Sequence, residues 1–150
     1  MDSSMLIREI QKNELHELLE LYTHLHETEI PEQTETLAET WGAIMRDKNH
    51  HIIVAEDNGR LVSSVVCVII PNLTRSVRPY AFIENVVTRR EYRNRDCATA
   101  CLDYAREIAL RESCYKIMLL TGAKDDSPLR FYQNAGYNSA DKTAFIQWLE

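Results

Sequence analysis

Residues 82–105, FIENVVTRREYRNRDCATACLDYA, constrain the fold more than any other part of the chain. An apolar run rich in β-branched residues is followed by a loop with four arginines, and then by apolar residues at helical spacing. This pattern predicts a buried strand, a basic loop and a helix that begins where the loop ends. Because the first N–H groups of a helix and its dipole favour anions, the segment indicates a phosphate-binding site.

The arginines of the loop are Arg89, Arg90, Arg93 and Arg95. Their forked donors match the geometry of a phosphate group. A solvated basic loop that pairs with nearby acids, such as Glu91, is the alternative. The position of the loop between a strand and a strongly amphipathic helix favours the phosphate site.

Glu84 alternates with apolar residues along the predicted strand, so we expect it on a face that is otherwise buried. A buried carboxyl group has a raised pKa and can accept a proton near neutral pH. A glutamate paired with an arginine, or exposed where the strands separate, is an equal alternative. Tyr132, in the sequence FYQNAGY, is on its own more typical of core packing than of chemistry.

The rest of the chain predicts one domain over residues 1–150, without linkers or repeats. Asn58-Gly59 between two β-branched runs is a hairpin signal, because a type I′ turn needs positive φ at both central residues. The order of elements is that of a mixed α/β (α+β) domain. The predicted strands cover residues 6–10, 51–56, 61–70, 80–87 and 116–121, and Tyr137 with residues 143–149 forms a closing hairpin. One predicted helix covers residues 36–46, and the others begin after Asn13, Asp96 and Ser127.

Composition narrows the class of partners and the compartment. A net charge of −6 disfavours nucleic acid and anionic membranes as partners. No apolar run approaches the roughly 18 residues of a membrane span, and no signal peptide is evident, which predicts a cytoplasmic protein. The four cysteines form no C-x-x-C pair, so we expect reduced core thiols and no metal site.

The order of elements, the strand FIENVV, the loop EYRNRDCA and the late FYQNAGY together resemble the GCN5-related N-acetyltransferase (GNAT) superfamily over nearly the whole chain. The resemblance implies a mixed, mostly antiparallel sheet of about six to seven strands, flanked by about four helices and splayed at its central strands. It also implies transfer of an acetyl group from acetyl-coenzyme A to a primary amine of a small molecule or a peptide.

The resemblance assigns roles residue by residue. The family's loop R/Q-x-x-G-x-G/A falls on residues 93–98, and its backbone would hold the pyrophosphate of the cofactor. Glu84 falls at the position of a general base that works through water, and Tyr132 at that of the acid that protonates the leaving thiolate. The implied cofactor-binding residues are Asn85, Val86 and Val87 on the strand, Arg93, Asn94, Arg95, Asp96, Cys97, Ala98 and Thr99 in the loop, and Asp125.

Asp96 departs from the pattern, since it replaces the first glycine of that loop. Its carboxylate brings negative charge to an anionic ligand and, at a helix start, can cap the N–H groups that the phosphate would use. We therefore predict weaker cofactor binding than glycine would give. A catalytically weak module that binds coenzyme A or a partner protein is the alternative function.

The acceptor would enter beside the first helix and the loop that follows it. The candidate contacts are Tyr22, His24, His26, Glu27 and Glu29. Homodimers are common among proteins of this kind, and the residues leave the oligomeric state open.

Overall fold

The computed structural model describes residues 5–25 and 29–150, and it divides into two compact units, Met1–Met118 and Leu119–Glu150. None of the helices in the described ranges has the length and apolar character needed to cross a membrane. The elements are β1 (Met5–Glu9), α1 (Leu15–Tyr22), α2 (Glu35–Arg46), β2 (His50–Asp57), β3 (Arg60–Ile70), α3 (Thr74–Val77), β4 (Tyr80–Thr88), α4 (Cys97–Arg111), β5 (Ile117–Leu119) and α5 (Asp126–Asn134).

The strands form one sheet in the order β1-β2-β3-β4-β5, and the pairs from β1 to β4 are antiparallel. The predicted mixed, mostly antiparallel architecture is confirmed, although the described residues form five strands rather than six to seven. The hairpin between β2 and β3 turns at Asn58 and Gly59, whose φ angles are 50° and 80°. Both are positive, as the predicted type I′ turn requires.

The predicted closing hairpin is wrong for residues 143–149, which have no strand conformation. Phe145 and Trp148 of this segment are 92% and 74% exposed. The segment contains aromatic and β-branched residues, which suit a strand, but a strand persists only where a neighbouring strand takes up its backbone N–H and C=O groups. This residue content indicates the preference for a strand and does not identify the partner strand.

The sheet is covered on both faces within the first unit. On one face, Val54 and Val66 form a core with Leu21 of α1 and Trp41 of α2. The Trp41 indole N–H donates to the Lys12 carbonyl at 3.0 Å, which satisfies the polar atom of this large buried ring.

Helix α4 packs against strands β1 to β4 with the apolar stripe that its sequence predicts. Cys101, Leu102, Ala105 and Ile108 are buried on that stripe. All four cysteines are free and buried, which confirms that they are core thiols. Burial raises the pKa of the Cys101 thiol to about 12, so it stays protonated and unreactive.

Candidate active site

Strand β4 carries an irregularity where it faces β3. Val66 pairs with Glu84 and Ser64 pairs with Val87, so two residues of β4 stand opposite the single residue between Ser64 and Val66. The extra residue is accommodated by Asn85, whose φ of 51° lies in the left-handed region. Asparagine tolerates this region better than most residues. The bulge interrupts the pairing of β4 with β3 at this point.

Glu84 immediately precedes the bulge. Because it pairs with Val66, it lies on the face of the sheet that α1 and α2 cover. Of the two alternatives that its sequence left open, burial is wrong, and Glu84 is exposed. The bulge opens the sheet at this position, and the carboxylate lies at the wall of a cavity rather than in the core.

The cavity lies between helices α1 and α2 and strands β2, β3 and β4, and its volume is about 370 Å³. This is at the small end of the range for small-molecule sites. Its wall consists mainly of apolar side chains, and the helices and the strands β2 and β4 each add one or two polar groups. The lining residues are Leu15, Leu18, Leu19, Tyr22, Leu37, Thr40, Trp41, Ile44, His50, Ile52, Val66, Val68, Glu84 and Asn85.

Of the predicted acceptor contacts, Tyr22 lines this cavity. Burial raises the pKa of its phenol to about 12, and an interaction with the side chain of Asn85 opposes this rise. Glu29 is exposed and is not part of the wall formed by the described residues. His26 and Glu27 lie outside the described residues.

His24 has a different environment from the one predicted. Its Nδ1 accepts the Arg90 backbone N–H at 3.3 Å, and its carbonyl accepts Nη2 of Arg93 at 3.2 Å. Burial, and then the positive charge of Arg89, lower the pKa of the imidazole. His24 is therefore a neutral acceptor that connects the end of α1 to the basic loop.

The start of α4 has the unpaired backbone N–H groups that the predicted anion site requires. The Ala100 N–H donates to the Asp96 carbonyl, which closes the first turn and leaves the N–H groups of Cys97, Ala98 and Thr99 at the helix end. The prediction that the Asp96 side chain caps these donors is wrong, since it makes no capping bond. Its φ of 61° is the left-handed conformation that glycine adopts most easily.

The four arginines of the loop divide into two groups. Arg89 is buried, and its Nε donates to the Leu61 carbonyl at 2.9 Å, so it belongs to the scaffold and not to a phosphate site. Arg90, Arg93 and Arg95 are exposed, and the last two lie just before the start of α4. The guanidinium of Arg95 lies 5.0 Å from the centre of the Tyr92 ring.

The predicted cofactor contacts on β4 differ in whether their backbone is available for pairing with a ligand. The Val87 side chain is buried in the core, and its carbonyl accepts the Ser63 hydroxyl at 2.8 Å. Asn85 and Val86 occupy the bulge, where the pairing with β3 is interrupted. Their main chain is therefore the better candidate for pairing with a ligand.

Tyr132 lies on α5 in the second unit. Its ring contacts those of Phe131 and Tyr137 edge-on, with centroid distances of 5.0 and 6.5 Å. Burial raises the pKa of its phenol, so the group is protonated at neutral pH. Asp125 is the residue before this helix and makes no side-chain capping bond. Gly136 follows the helix with a φ of 103°, as its sequence position predicts.

Among the described residues, no group of three His, Cys, Asp or Glu side chains is placed to hold a metal ion. The sequence predicts the apolar wall of the cavity as core, because helical spacing is the same for a side chain that packs on another side chain and for one that borders a cavity. The sequence does not indicate His50 either, since the adjacent pair His50-His51 has no spacing that is typical of a site.

Comparisons with known proteins agree on one family. The profile of the acetyltransferase (GNAT) family matches residues 14–137. A glucosamine 6-phosphate N-acetyltransferase of Trypanosoma brucei brucei is 30% identical over 138 residues, which are 91% of this chain and 90% of that protein. A solved structure from Agrobacterium tumefaciens str. C58, described as an acetyltransferase, is 36% identical with a TM-score of 0.87, over 95% of this chain and 99% of that one. An acetyltransferase structure from Trypanosoma brucei is 26% identical with a TM-score of 0.80, over 96% and 99%.

Proposed function

We propose that this chain, which belongs to the acetyltransferase (GNAT) family, transfers an acetyl group from acetyl-coenzyme A to a primary amine of a small molecule or a peptide. The observation on which the proposal depends is the bulge of β4, where Glu84 lines the cavity and the pairing with β3 is interrupted at Asn85 and Val86. This arrangement brings a proton acceptor and a place for an extended ligand to one point of the sheet.

The residues present fit the cofactor. The free N–H groups of Cys97, Ala98 and Thr99 and the exposed Arg93 and Arg95 suit its phosphates. The bulge at Asn85 and Val86 suits the amide groups of its arm, which can pair with a strand whose ladder is interrupted. Acetyl-coenzyme A supplies an activated thioester, and the chain supplies orientation and proton transfer.

Glu84 is proposed as the general base. An alkyl amine has a pKa of about 10.4 and is mostly protonated at neutral pH, so a proton must be removed before it can attack. The exposed carboxylate at the cavity wall can accept that proton directly or through a water molecule. It would also attract the ammonium form of the acceptor to this wall.

Tyr132 is proposed as the general acid. Its raised pKa keeps the hydroxyl protonated at neutral pH, which a proton donor to a leaving thiolate requires. The free thiol has a pKa of about 8.5, so donation of one proton makes the release of the thiol easier.

Thiol release from acetyl-coenzyme A in the presence of an amine panel tests the proposal. Glu84→Gln keeps the shape and removes the base, so turnover should fall by about 10²- to 10⁴-fold while calorimetric binding of the cofactor is retained. Full turnover in this variant would contradict the role of Glu84.

A module that binds coenzyme A without efficient catalysis is the second candidate, because the exposed Asp96 carboxylate stands at the start of α4. Calorimetry with acetyl-coenzyme A separates the two functions. Binding without thiol release for any amine favours this module, and binding with thiol release favours the transferase.

A further inference from the structure

The chemistry of the cavity wall narrows the class of acceptor. We infer that the acceptor presents its amine on an apolar body, aromatic or branched alkyl, and bears no phosphate group. This inference rests on the proposed transfer reaction and on the assignment of the cavity beside Glu84 as the acceptor site.

The apolar part of the wall comes from both helices. Leu15 and Leu19 of α1 face Leu37 and Ile44 of α2 across the cavity, with Ile52 on the sheet below them. A sugar ring placed here would bury hydroxyl groups against side chains that offer them no hydrogen bonds, which is unfavourable. An aromatic or branched alkyl group would instead gain from removing apolar surface from water.

The charge of the wall points to the same class. Among the described lining residues, there is no lysine or arginine, and the one carboxylate is Glu84. Burial lowers the pKa of the His50 imidazole, so at neutral pH this ring is uncharged. The Tyr22 phenol, with its pKa raised to about 12, is also neutral. The wall formed by the described residues therefore has a single negative charge, which β4 contributes.

This distribution suits an ammonium group at one end and an uncharged body at the other. Proteins recognise phosphate groups with arginine, lysine or oriented N–H donors. The described wall has no such cation, and a phosphate would meet apolar side chains and the Glu84 carboxylate. The acceptor of this chain therefore differs from the one that the name of the Trypanosoma brucei brucei relative specifies, which is a phosphorylated amino sugar.

The test compares 2-phenylethylamine, glucosamine and glucosamine 6-phosphate on the full chain. Calorimetry in the presence of coenzyme A measures binding, and thiol release with acetyl-coenzyme A measures turnover. We expect 2-phenylethylamine to bind at least about tenfold more tightly than either sugar, because its ring is removed from water by the wall.

A charge introduced at Thr40 provides an independent test of the wall. Thr40 is exposed and lines the cavity, whereas Ala43 is exposed on the same helix and does not line it. Thr40→Arg adds the missing cation and should favour glucosamine 6-phosphate over glucosamine by roughly two- to fivefold relative to the unaltered chain. Ala43→Arg adds the same charge to α2 and should leave this ratio unchanged.

The outcomes separate the inference from the proposed reaction. If 2-phenylethylamine binds no more tightly than glucosamine 6-phosphate, the inference is overturned, whether or not either amine is acetylated. If the binding preference is present and no amine releases thiol, the inference stands and the proposed transfer fails. Equal shifts for Thr40→Arg and Ala43→Arg would contradict the assignment of this cavity as the acceptor site.

Discussion

The phenol of Tyr22, at the end of α1, interacts with the side chain of Asn85, the residue with left-handed backbone on β4. Both residues line the cavity, so the interaction connects the helix that forms one wall to the bulge that interrupts the pairing of β4 with β3. A left-handed residue in a strand persists only when its surroundings hold it. The shape of the cavity and the conformation of the bulge are therefore coupled through this pair.

Tyr22→Phe tests that coupling. The variant keeps the ring and removes the hydroxyl, so the unfolding free energy should fall by about 1 kcal/mol. Because the bulge is less well held, kcat/KM for the best amine should fall as well. Denaturant unfolding and thiol-release kinetics measure the two effects.

Tyr115→Phe is the matched control, because this ring stacks edge-on against Tyr80, outside the wall of the cavity. It should leave kcat/KM unchanged. Loss of stability without any change in kcat/KM for Tyr22→Phe would show that the interaction between Tyr22 and Asn85 stabilises the fold and does not act on turnover.

Local signals in the sequence predicted much of this fold. Asn58-Gly59 predicted the turn between β2 and β3, and the apolar stripe of α4 predicted the face that this helix buries. Both features depend on residues that are close together in the chain. The bulge at Asn85 was not predictable in this way, since it depends on the register between two strands. The same register exposes Glu84, whose alternation with apolar residues had predicted burial.

The sequence also could not predict which arginines of the basic loop are buried and which are exposed. Four arginines in seven residues predicted an anion site, but sequence could not separate Arg89, which is hydrogen-bonded to the Leu61 carbonyl inside the protein, from Arg93 and Arg95 outside it. The side on which each arginine lies depends on the path of the loop after β4. That path is set by tertiary contacts, including the bonds from Arg90 and Arg93 to His24.

Arg89→Ala should destabilise the protein without acting on the cofactor directly. The change removes a buried charged donor and leaves the Leu61 carbonyl without its Nε partner, so the unfolding free energy should fall by about 1–3 kcal/mol. Arg90→Ala, at the exposed neighbouring position, should change it by less than about 0.5 kcal/mol. Equal small effects in denaturant unfolding would show that the Arg89 bond contributes little.

Two variants at Asp96 separate the effect of its charge on cofactor binding from the effect of its backbone conformation. Asp96→Asn removes the charge and keeps a side chain that tolerates positive φ, whereas Asp96→Gly removes both the charge and the strain. We expect both variants to bind acetyl-coenzyme A roughly three- to tenfold more tightly by calorimetry, because the charge is the larger effect.

Asp103→Asn is the control for Asp96, since it removes the same charge from an exposed position further along α4. It should leave the affinity unchanged. Tighter binding in Asp96→Gly alone would assign the effect to backbone conformation, and no tightening in either variant would remove Asp96 as the cause of weak binding.

Stability should decrease as the solution becomes mildly acidic. Burial is the main cause that lowers the pKa of His24 and of His50 in the folded protein, whereas an unfolded histidine has a pKa of about 6.5. The unfolded chain therefore binds protons first as pH falls. The contribution of these groups to stability is complete above about pH 6.5 and is lost as pH falls through the folded pKa values.

Denaturant unfolding between pH 8 and 5 measures this dependence, and His24→Gln and His50→Gln should each make it less steep. For His24, protonation also removes the acceptor of the Arg90 N–H. An unchanged slope in both variants would assign the loss of stability in this pH range to other groups.

Tyr132→Phe tests the proposed acid. The ring should keep its edge-on contacts with Phe131 and Tyr137, so α5 should stay folded, while the proton donor is lost. If Tyr132 protonates the leaving thiolate, kcat should fall by about 10²- to 10⁴-fold with little change in cofactor affinity.

Tyr137→Phe removes a hydroxyl from the neighbouring ring and should leave kcat nearly unchanged. A Tyr132→Phe variant with full turnover would show that the thiolate leaves without this proton, and would reduce Tyr132 to a packing residue of the second unit.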